Sequence, residues 1–337
     1  VVSPRQILKK QIKALAAAGM KAMVGTELEF VVYNNTYEQA FNKGYKDLTP
    51  ANQYNVDYSI LGGSRIEPLL RAIRLGMSGA GMNVESVKGE CNFGQHEIAF
   101  KYSDALTSCD NHVIYKNGAK EIAAATGYAL TFMAKPNQKE GNSSHIHLSF
   151  RGLKDELVMA DDKDKEHGLS EVGKSFIAGQ LKHLQELSLL FAPNINSYKR
   201  YIPGSFAPTA IRWGRDNRTC ALRLVGHGQS LRLENRVPGG DVNPYLAVAG
   251  IIAAGLDGIK NNLKLEPAYT TNAYDSDSPR VPASMVDAQS LWANSAWVKE
   301  VFGAEVQSHY ANMAQVELDA YGKAVTDWEL FRNFERF

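Results

Sequence analysis

Apolar and polar positions alternate through Gly25-Thr26-Glu27-Leu28-Glu29-Phe30-Val31-Val32, which predicts a strand over 23–33 with Glu27 and Glu29 on one face. Taken alone, such a face reads as the water side of a half-exposed strand. Four later segments repeat the pattern, carrying Glu, His or Arg where a core favours aliphatics. Gly89-Glu90-Cys91-Asn92-Phe93-Gly94-Gln95-His96-Glu97-Ile98-Ala99-Phe100 follows a predicted strand over 84–88 and a turn at Gly89. Ser144-His145-Ile146-His147-Leu148-Ser149-Phe150 alternates strictly, so His145, His147 and Ser149 share a face. Residues 219–225 and 230–237 read as a hairpin-like strand pair, with Arg232, Glu234 and Arg236 opposite Leu231, Leu233, Asn235 and Val237.

Between these runs the apolar spacing is helical. Ser3 and Pro4 start a helix expected over 5–18, ended by Gly19. Further helices are expected over 66–80, 103–126 and 169–191, then from Asn243-Pro244 to 262, then from 284 onward with 304–325 and an aromatic tail. The stretch 245–256 is apolar on nearly every side and rich in Ala and Gly, as a tightly packed buried helix would be. Residues 130–134 add a strand, 34–53, 136–142 and 193–213 read as loops, and 155–166 is charged and solvated. No repeat, low-complexity tract or linker interrupts the chain. The reading is one domain, 1–337, of α+β class, with a largely antiparallel sheet backed by helices.

The 337 residues are 44% hydrophobic and 22% charged, with a formal net charge of +1, ample for a large core. Near-neutrality and the lack of a basic block argue against a nucleic-acid or membrane-surface protein. The apolar run 245–256 falls short of the ~20 residues of a membrane span. Cys91, Cys109 and Cys220 are too few and scattered for a disulfide framework or a zinc site, which suits a reducing cytoplasm.

Glu27, Glu29, Glu90, Glu97 and Glu234 with His145 make five carboxylates and one imidazole on strand faces. Any one alone reads as a salt-bridged acid or a satisfied core histidine. Together they repel strongly unless cations neutralise them, and an oxygen-dominated set suits Mg²⁺ or Mn²⁺. Arg200, Arg212, Arg215, Arg218, Arg223, Arg232 and Arg236 form a second set, able to grip phosphate or carboxylate bidentately. Ion pairing with glutamates is the competing reading, held even for Arg212 and Arg215. Metal sites facing arginines point to nucleotide-dependent phosphoryl transfer, without a Walker loop or a kinase glycine loop.

The ordered motifs G-T-E-L-E-F, G-E-C-N-F-G-Q-H-E, G-N-S-S-H-I-H-L-S, N-R-T-C-A-L-R and L-R-L-E-N-R-V-P-G-G-D-V-N-P-Y resemble the catalytic domain of type I glutamine synthetase across essentially the whole chain. The resemblance implies a curved sheet in an incomplete barrel, with ATP activating glutamate as γ-glutamyl phosphate for attack by an amine. It implies Glu29, Glu90 and Glu97 on one metal, and Glu27, His145 and Glu234 on another. Arg218 and Glu90 are the catalytic residues it implies, Arg218 stabilising the transferring phosphoryl group. Arg223 and Arg232 would hold nucleotide phosphates, His147 and Ser149 would lie on the nucleotide side, and Tyr102 would stack on adenine unless it is an ordinary core aromatic. Arg200 and Arg236 would bind the carboxylates of glutamate, with Gly141 near its α-amino group. Tyr274 sits where some glutamine synthetases carry an adenylylated tyrosine, although one residue type in a surface loop reads as an ordinary tyrosine. The family assembles as a dodecamer of two stacked hexameric rings.

Three departures qualify the resemblance. A small N-terminal β-grasp domain, expected upstream of Ser3-Pro4, is absent from these residues; in the family it completes a neighbour's site and supplies an aspartate that helps deprotonate ammonium. The flap, P-G-x-E-A-P in the family, is Pro203-Gly204-Ser205-Phe206-Ala207-Pro208, so Phe206 replaces the acid that assists amine deprotonation. Glu140 stands where an asparagine usually precedes the loop glycine. An alkyl amine, judged by the lysine value of about 10.4, is almost wholly protonated at neutral pH and needs a base. Phenylalanine offers none, but it offers an apolar wall. The expectation is therefore the γ-glutamyl-amine ligase branch, acting on ethanolamine, alkylamines, anilines or polyamines, the last disfavoured because a polyamine wants added acids, although Glu140 leaves it open. The alternatives are glutamine synthetase proper using ammonia, a non-catalytic relative, and, by fold analogy only, a guanidino kinase.

Overall fold

The computed structural model describes residues 1–337. Its strands are β1 (Met20–Thr26), β2 (Glu29–Tyr33), β3 (Val84–Gly89), β4 (Gln95–Phe100), β5 (Ser103–Asp104), β6 (Ala129–Thr131), β7 (Ile146–Gly152), β8 (Trp213–Arg215), β9 (Leu222–Val225) and β10 (Arg232–Asn235). They form a six-stranded sheet in the order β5-β1-β7-β10-β9-β8 and a four-stranded sheet in the order β3-β4-β2-β6. Every pairing is antiparallel except β8 with β9, which run parallel. The class is α+β, and the sheets do not close into a barrel.

The single strand expected over 23–33 is two strands in two sheets, β1 in the larger and β2 in the smaller. Side-chain parity is kept through the break. Ala22 and Val24 enter the core of the larger sheet, while Leu28, Phe30 and Val32 enter that of the smaller. Burying Leu28 is worth about 1.5–3 kcal/mol, which anchors the crossing. At the seam the backbone bonds to the segment before β7: the Glu27 N–H donates to the His145 carbonyl at 2.9 Å and the Glu29 N–H to that of Ser143 at 3.0 Å.

Two helical layers cover the sheets. Leu69, Leu70, Ile73 and Met77 of helix Glu67–Gly79 and Tyr115, Ala119 and Ala123 of helix Ala105–Ala125 fill the smaller core. Asp104 starts the second of these by accepting from the Leu106 and Thr107 amides. The apolar run is the buried helix Pro244–Lys260, packed between helices Pro4–Ala17 and Glu171–Phe191. Its crossing with Glu171–Phe191 is close enough to demand glycine, since a Cβ on Gly258 would lie 2.0 Å from the Ser175 carbonyl oxygen. No helix is long and apolar enough to cross a membrane.

Strand register sets the side-chain rows that matter. Across the larger sheet Gly25 faces His147, His147 faces Glu234, and Glu234 faces Arg223. Across the smaller sheet Glu29 faces Glu97, and Glu97 faces Lys88. Each row aligns charged groups at cross-strand neighbour distance, and two acids directly opposed destabilise a sheet unless something neutralises them.

Candidate active site

The two rows meet at one cavity of about 240 Å³. Of the expected residues, Glu27, Glu29, Glu90, Glu97, His145 and Glu234 line it, as do Gly141, Arg200, Phe206, Arg218, Arg223 and Arg236. A second cavity of about 380 Å³ adjoins it at Glu27 and is lined by Tyr102, His147, Ser149 and Arg232. Tyr102 is 54% exposed at its wall, which excludes the core-aromatic alternative.

Glu29, Glu90 and Glu97 present carboxylate oxygens within 4.8 Å of one another. Burial and the Glu97 charge push Glu29 up to about 7. Burial and Glu29 push Glu90 to about 7, and burial and Glu27 push Glu97 to about 8. Lys88 is the only cation that pairs with this group, bonding Glu90 and lying 3.2 Å from Glu97. One ammonium against three acids leaves excess negative charge in a buried place, and carboxylate oxygens are the donors a hard divalent cation takes. Lys88 carried no signal in the sequence, because a lone lysine in a strand reads as solvated.

The second group is built differently. Glu27, His147 and Glu234 offer donor atoms within 4.8 Å of one another. His147 Nε2 lies 2.9 Å from Glu27 Oε1, and His145 Nδ1 lies 3.2 Å from Glu27 Oε2 and 3.3 Å from Glu234 Oε1. Both imidazoles therefore reach the carboxylates, where the sequence assigned His145 alone and left His147 to the nucleotide. Burial opposes the Glu27 charge, but the bonds from His145 and His147 outweigh it and hold the carboxyl well below its usual range. Burial and the Arg236 charge lower His145 to about 4, so it is neutral, as a ligand must be, and its buried Nε2 has no partner. Both groups thus fit a divalent ion.

The arginines divide. Arg223 bonds Glu234 at 3.0 Å and also pairs with Asp216, while Arg232 Nε donates to His147 Nδ1 at 3.2 Å. Arg236 bonds Glu234 at 2.6 Å and the Phe206 carbonyl at 3.3 Å. Arg200 is buried and donates to the carbonyls of Val237 and Arg236. Arg218 is exposed and makes no hydrogen bond or ion pair in the chain, so its guanidinium is free for a ligand. Arg212 and Arg215 lie elsewhere: Arg212 pairs with Glu266 at 2.9 Å, and Arg215 bonds the carbonyls of His167 and Gly226. The ion-pair and backbone roles hold for those two.

Phe206 is 55% exposed and has φ +61°, a left-handed conformation unusual for an aromatic residue. Strain of this kind collects at functional loops. Its carbonyl is held by Arg236, and the Tyr274 hydroxyl donates to the neighbouring Ala207 carbonyl at 3.0 Å, tying the flap to the turn Ala273–Asp275. Tyr274 is therefore partly buried and engaged, unlike a free surface tyrosine.

The family described as glutamine synthetase, catalytic domain, matches residues 1–333. The chain belongs to this family. The glutamine synthetase family uses ATP and divalent metals. Among its members, gamma-glutamylethanolamide synthetase GlnA4 of Streptomyces coelicolor is 61% identical over 336 residues, covering 100% of this chain and 72% of that protein. Glutamate–isopropylamine ligase of a Pseudomonas species is 37% identical over 337 residues, covering 98% of this chain and 73% of that protein. The solved structure of GmaS without ligand superposes with a TM-score of 0.89 at 28% identity, covering 99% of this chain and 77% of that one. A GmaS complex with ADP superposes equally well. This glutamine synthetase catalytic domain thus has relatives whose names specify organic amines.

Proposed function

We propose that this chain is the catalytic domain of an ATP-dependent ligase that activates glutamate as γ-glutamyl phosphate and couples it to an organic amine, forming a γ-glutamyl amide. The observation that carries the choice of amine is Phe206: an aromatic side chain on the flap lines the cavity that holds the acids and arginines. It replaces the acid an ammonium ion would use and supplies apolar surface for a carbon substituent. The names of the Streptomyces and Pseudomonas relatives support the same reading.

In this reading Glu29, Glu90 and Glu97 hold one Mg²⁺ or Mn²⁺, and Glu27, Glu234 and the His145–His147 pair hold another. Bound ions would neutralise charge on the ATP phosphates. ATP occupies the cavity of Tyr102, His147, Ser149 and Arg232, with the ring of Tyr102 against adenine and Arg223 and Arg232 on the phosphates. Arg218 reaches the transferring phosphoryl group. Arg200 and Arg236 fix glutamate by its carboxylates, and Gly141 lies near its α-amino group, in a loop pressed so closely on the chain that a Cβ there would sit 2.3 Å from the Ala134 carbonyl oxygen. Positioning and charge neutralisation are the main contributions a protein makes to such a transfer. The family's dodecamer and a cytoplasmic location belong to the same proposal.

Phosphate release by the full-length protein with ATP, glutamate and Mg²⁺ tests the reading, comparing ammonium with ethanolamine, isopropylamine and aniline. An organic amine should be preferred, and Phe206→Glu should move the preference towards ammonium by at least tenfold, about 1.4 kcal/mol of transition-state discrimination. An unchanged preference in Phe206→Glu would show that the flap does not select the amine.

A further inference from the structure

A ligase for alkylamines must take a proton from an alkylammonium, and the flap has lost the acid that would assist. Seven carboxylates line the cavity that holds Phe206: Glu27, Glu29, Asp57, Glu90, Glu97, Glu140 and Glu234. Five of them belong to the two metal groups. Asp57 and Glu140 remain, and neither forms an ion pair anywhere in the chain.

Asp57 is built into place. Gly89, immediately before Glu90, lets the loop carrying Asp57 lie directly on the end of β3, for a Cβ on Gly89 would stand 2.3 Å from the Val56 carbonyl oxygen. Val56 is buried, the Tyr58 N–H donates to the Gly89 carbonyl at 3.2 Å, and the Asn55 side chain accepts from the Asp57 N–H at 2.8 Å. The carboxylate itself is exposed to the cavity and accepts one bond, from the Cys91 thiol at 3.4 Å. Glu140 lines the same cavity as Asp57 and Cys91.

We propose that Asp57 is the catalytic base that accepts the proton of an incoming alkylammonium, with Glu140 drawing the cation to it and Phe206 covering its carbon substituent. The step balances. One proton of the ammonium passes to the Asp57 carboxylate, and the freed lone pair forms the C–N bond to the γ-carbon of γ-glutamyl phosphate. The C–O bond to phosphate breaks, and a second proton leaves with inorganic phosphate. This inference rests on the ligase reading, and it deepens that reading by naming which acid of the cavity does the work that Phe206 cannot do.

The test compares two amines with full-length wild type and D57N: ethanolamine, which is protonated at pH 7, and hydroxylamine, which is already neutral there and needs no base. For D57N, kcat/KM with ethanolamine should fall ~100-fold or more, the usual scale for a general base. With hydroxylamine it should stay within about threefold, which also shows that the variant folds and binds ATP and glutamate. E140Q should raise KM for ethanolamine severalfold and leave kcat in place. If D57N slows both amines equally, or neither, Asp57 is not the base and the proposal is overturned. Failure of the wild type to turn over any amine is a different result, one that removes the ligase reading itself.

Discussion

Removing metal from this protein should make its stability depend steeply on pH. Glu29 sits at about 7 and Glu97 at about 8 in the folded chain, against an ordinary 4.5. A group that holds its proton more tightly folded than unfolded stabilises the fold fully below 4.5, and that contribution is lost as pH rises through 7 to 8. At about 1.4 kcal/mol per pH unit, this corresponds to about 3 kcal/mol for Glu29 and about 5 kcal/mol for Glu97, not additive because the two acids share their repulsion. The Lys88 ammonium offsets only part of it. The assay is thermal unfolding from pH 5 to pH 8 in EDTA and again in Mg²⁺ or Mn²⁺. In EDTA the midpoint should fall by roughly 5–10 °C over that window, since an unfolding entropy of about 2.1 cal/mol/K per residue gives about 1.4 °C per kcal/mol for a chain of this size. Divalent metal should restore it, with a larger gain at pH 8 than at pH 5, because only ionised carboxylates bind. Glu97→Gln should raise the midpoint of the metal-free protein at pH 8 and shrink the gain from metal. A midpoint in EDTA that is flat with pH, or a gain from metal equal at both ends, would refute the reasoning.

Two further outcomes are expected. Arg232→Ala removes a guanidinium oriented by His147 and should weaken ADP about 10- to 100-fold in calorimetry, the loss of a charge-assisted contact worth about 1.5–3 kcal/mol. Gly89→Ala drives a methyl against the Val56 carbonyl and should cost about 1–3 kcal/mol of stability in denaturant unfolding, while slowing ethanolamine more than hydroxylamine.

Much of the site could be read from the sequence because strand alternation fixes which side chains share a face. His145, His147 and Ser149, and likewise Arg232, Glu234 and Arg236, could be grouped before any coordinates. Three things could not. The break at Leu28 was hidden because parity survives the change of sheet, so a continuous strand and a crossing strand have the same pattern. Lys88 meets Glu97 only through strand pairing and Asp57 meets Cys91 from a separate loop, and a lysine on a strand or an aspartate in a polar loop has no local mark of function. For Arg212 and Arg215 the sequence leaves the site and the ion pair equally open, and Glu266 and the His167 and Gly226 carbonyls claim them. Tertiary pairing, invisible to periodicity, decided each case.

The crossing at Leu28 also fixes a length. Each metal group draws its other members from one sheet, yet Glu27 and Glu29 are two residues apart on one chain. Two residues of extended backbone span at most about 7 Å. The separation of the two carboxylate attachment points is therefore capped by covalent bonds, as on a ruler. Movement between the two sheets can tilt one carboxylate against the other, but it cannot part their attachment points beyond that reach.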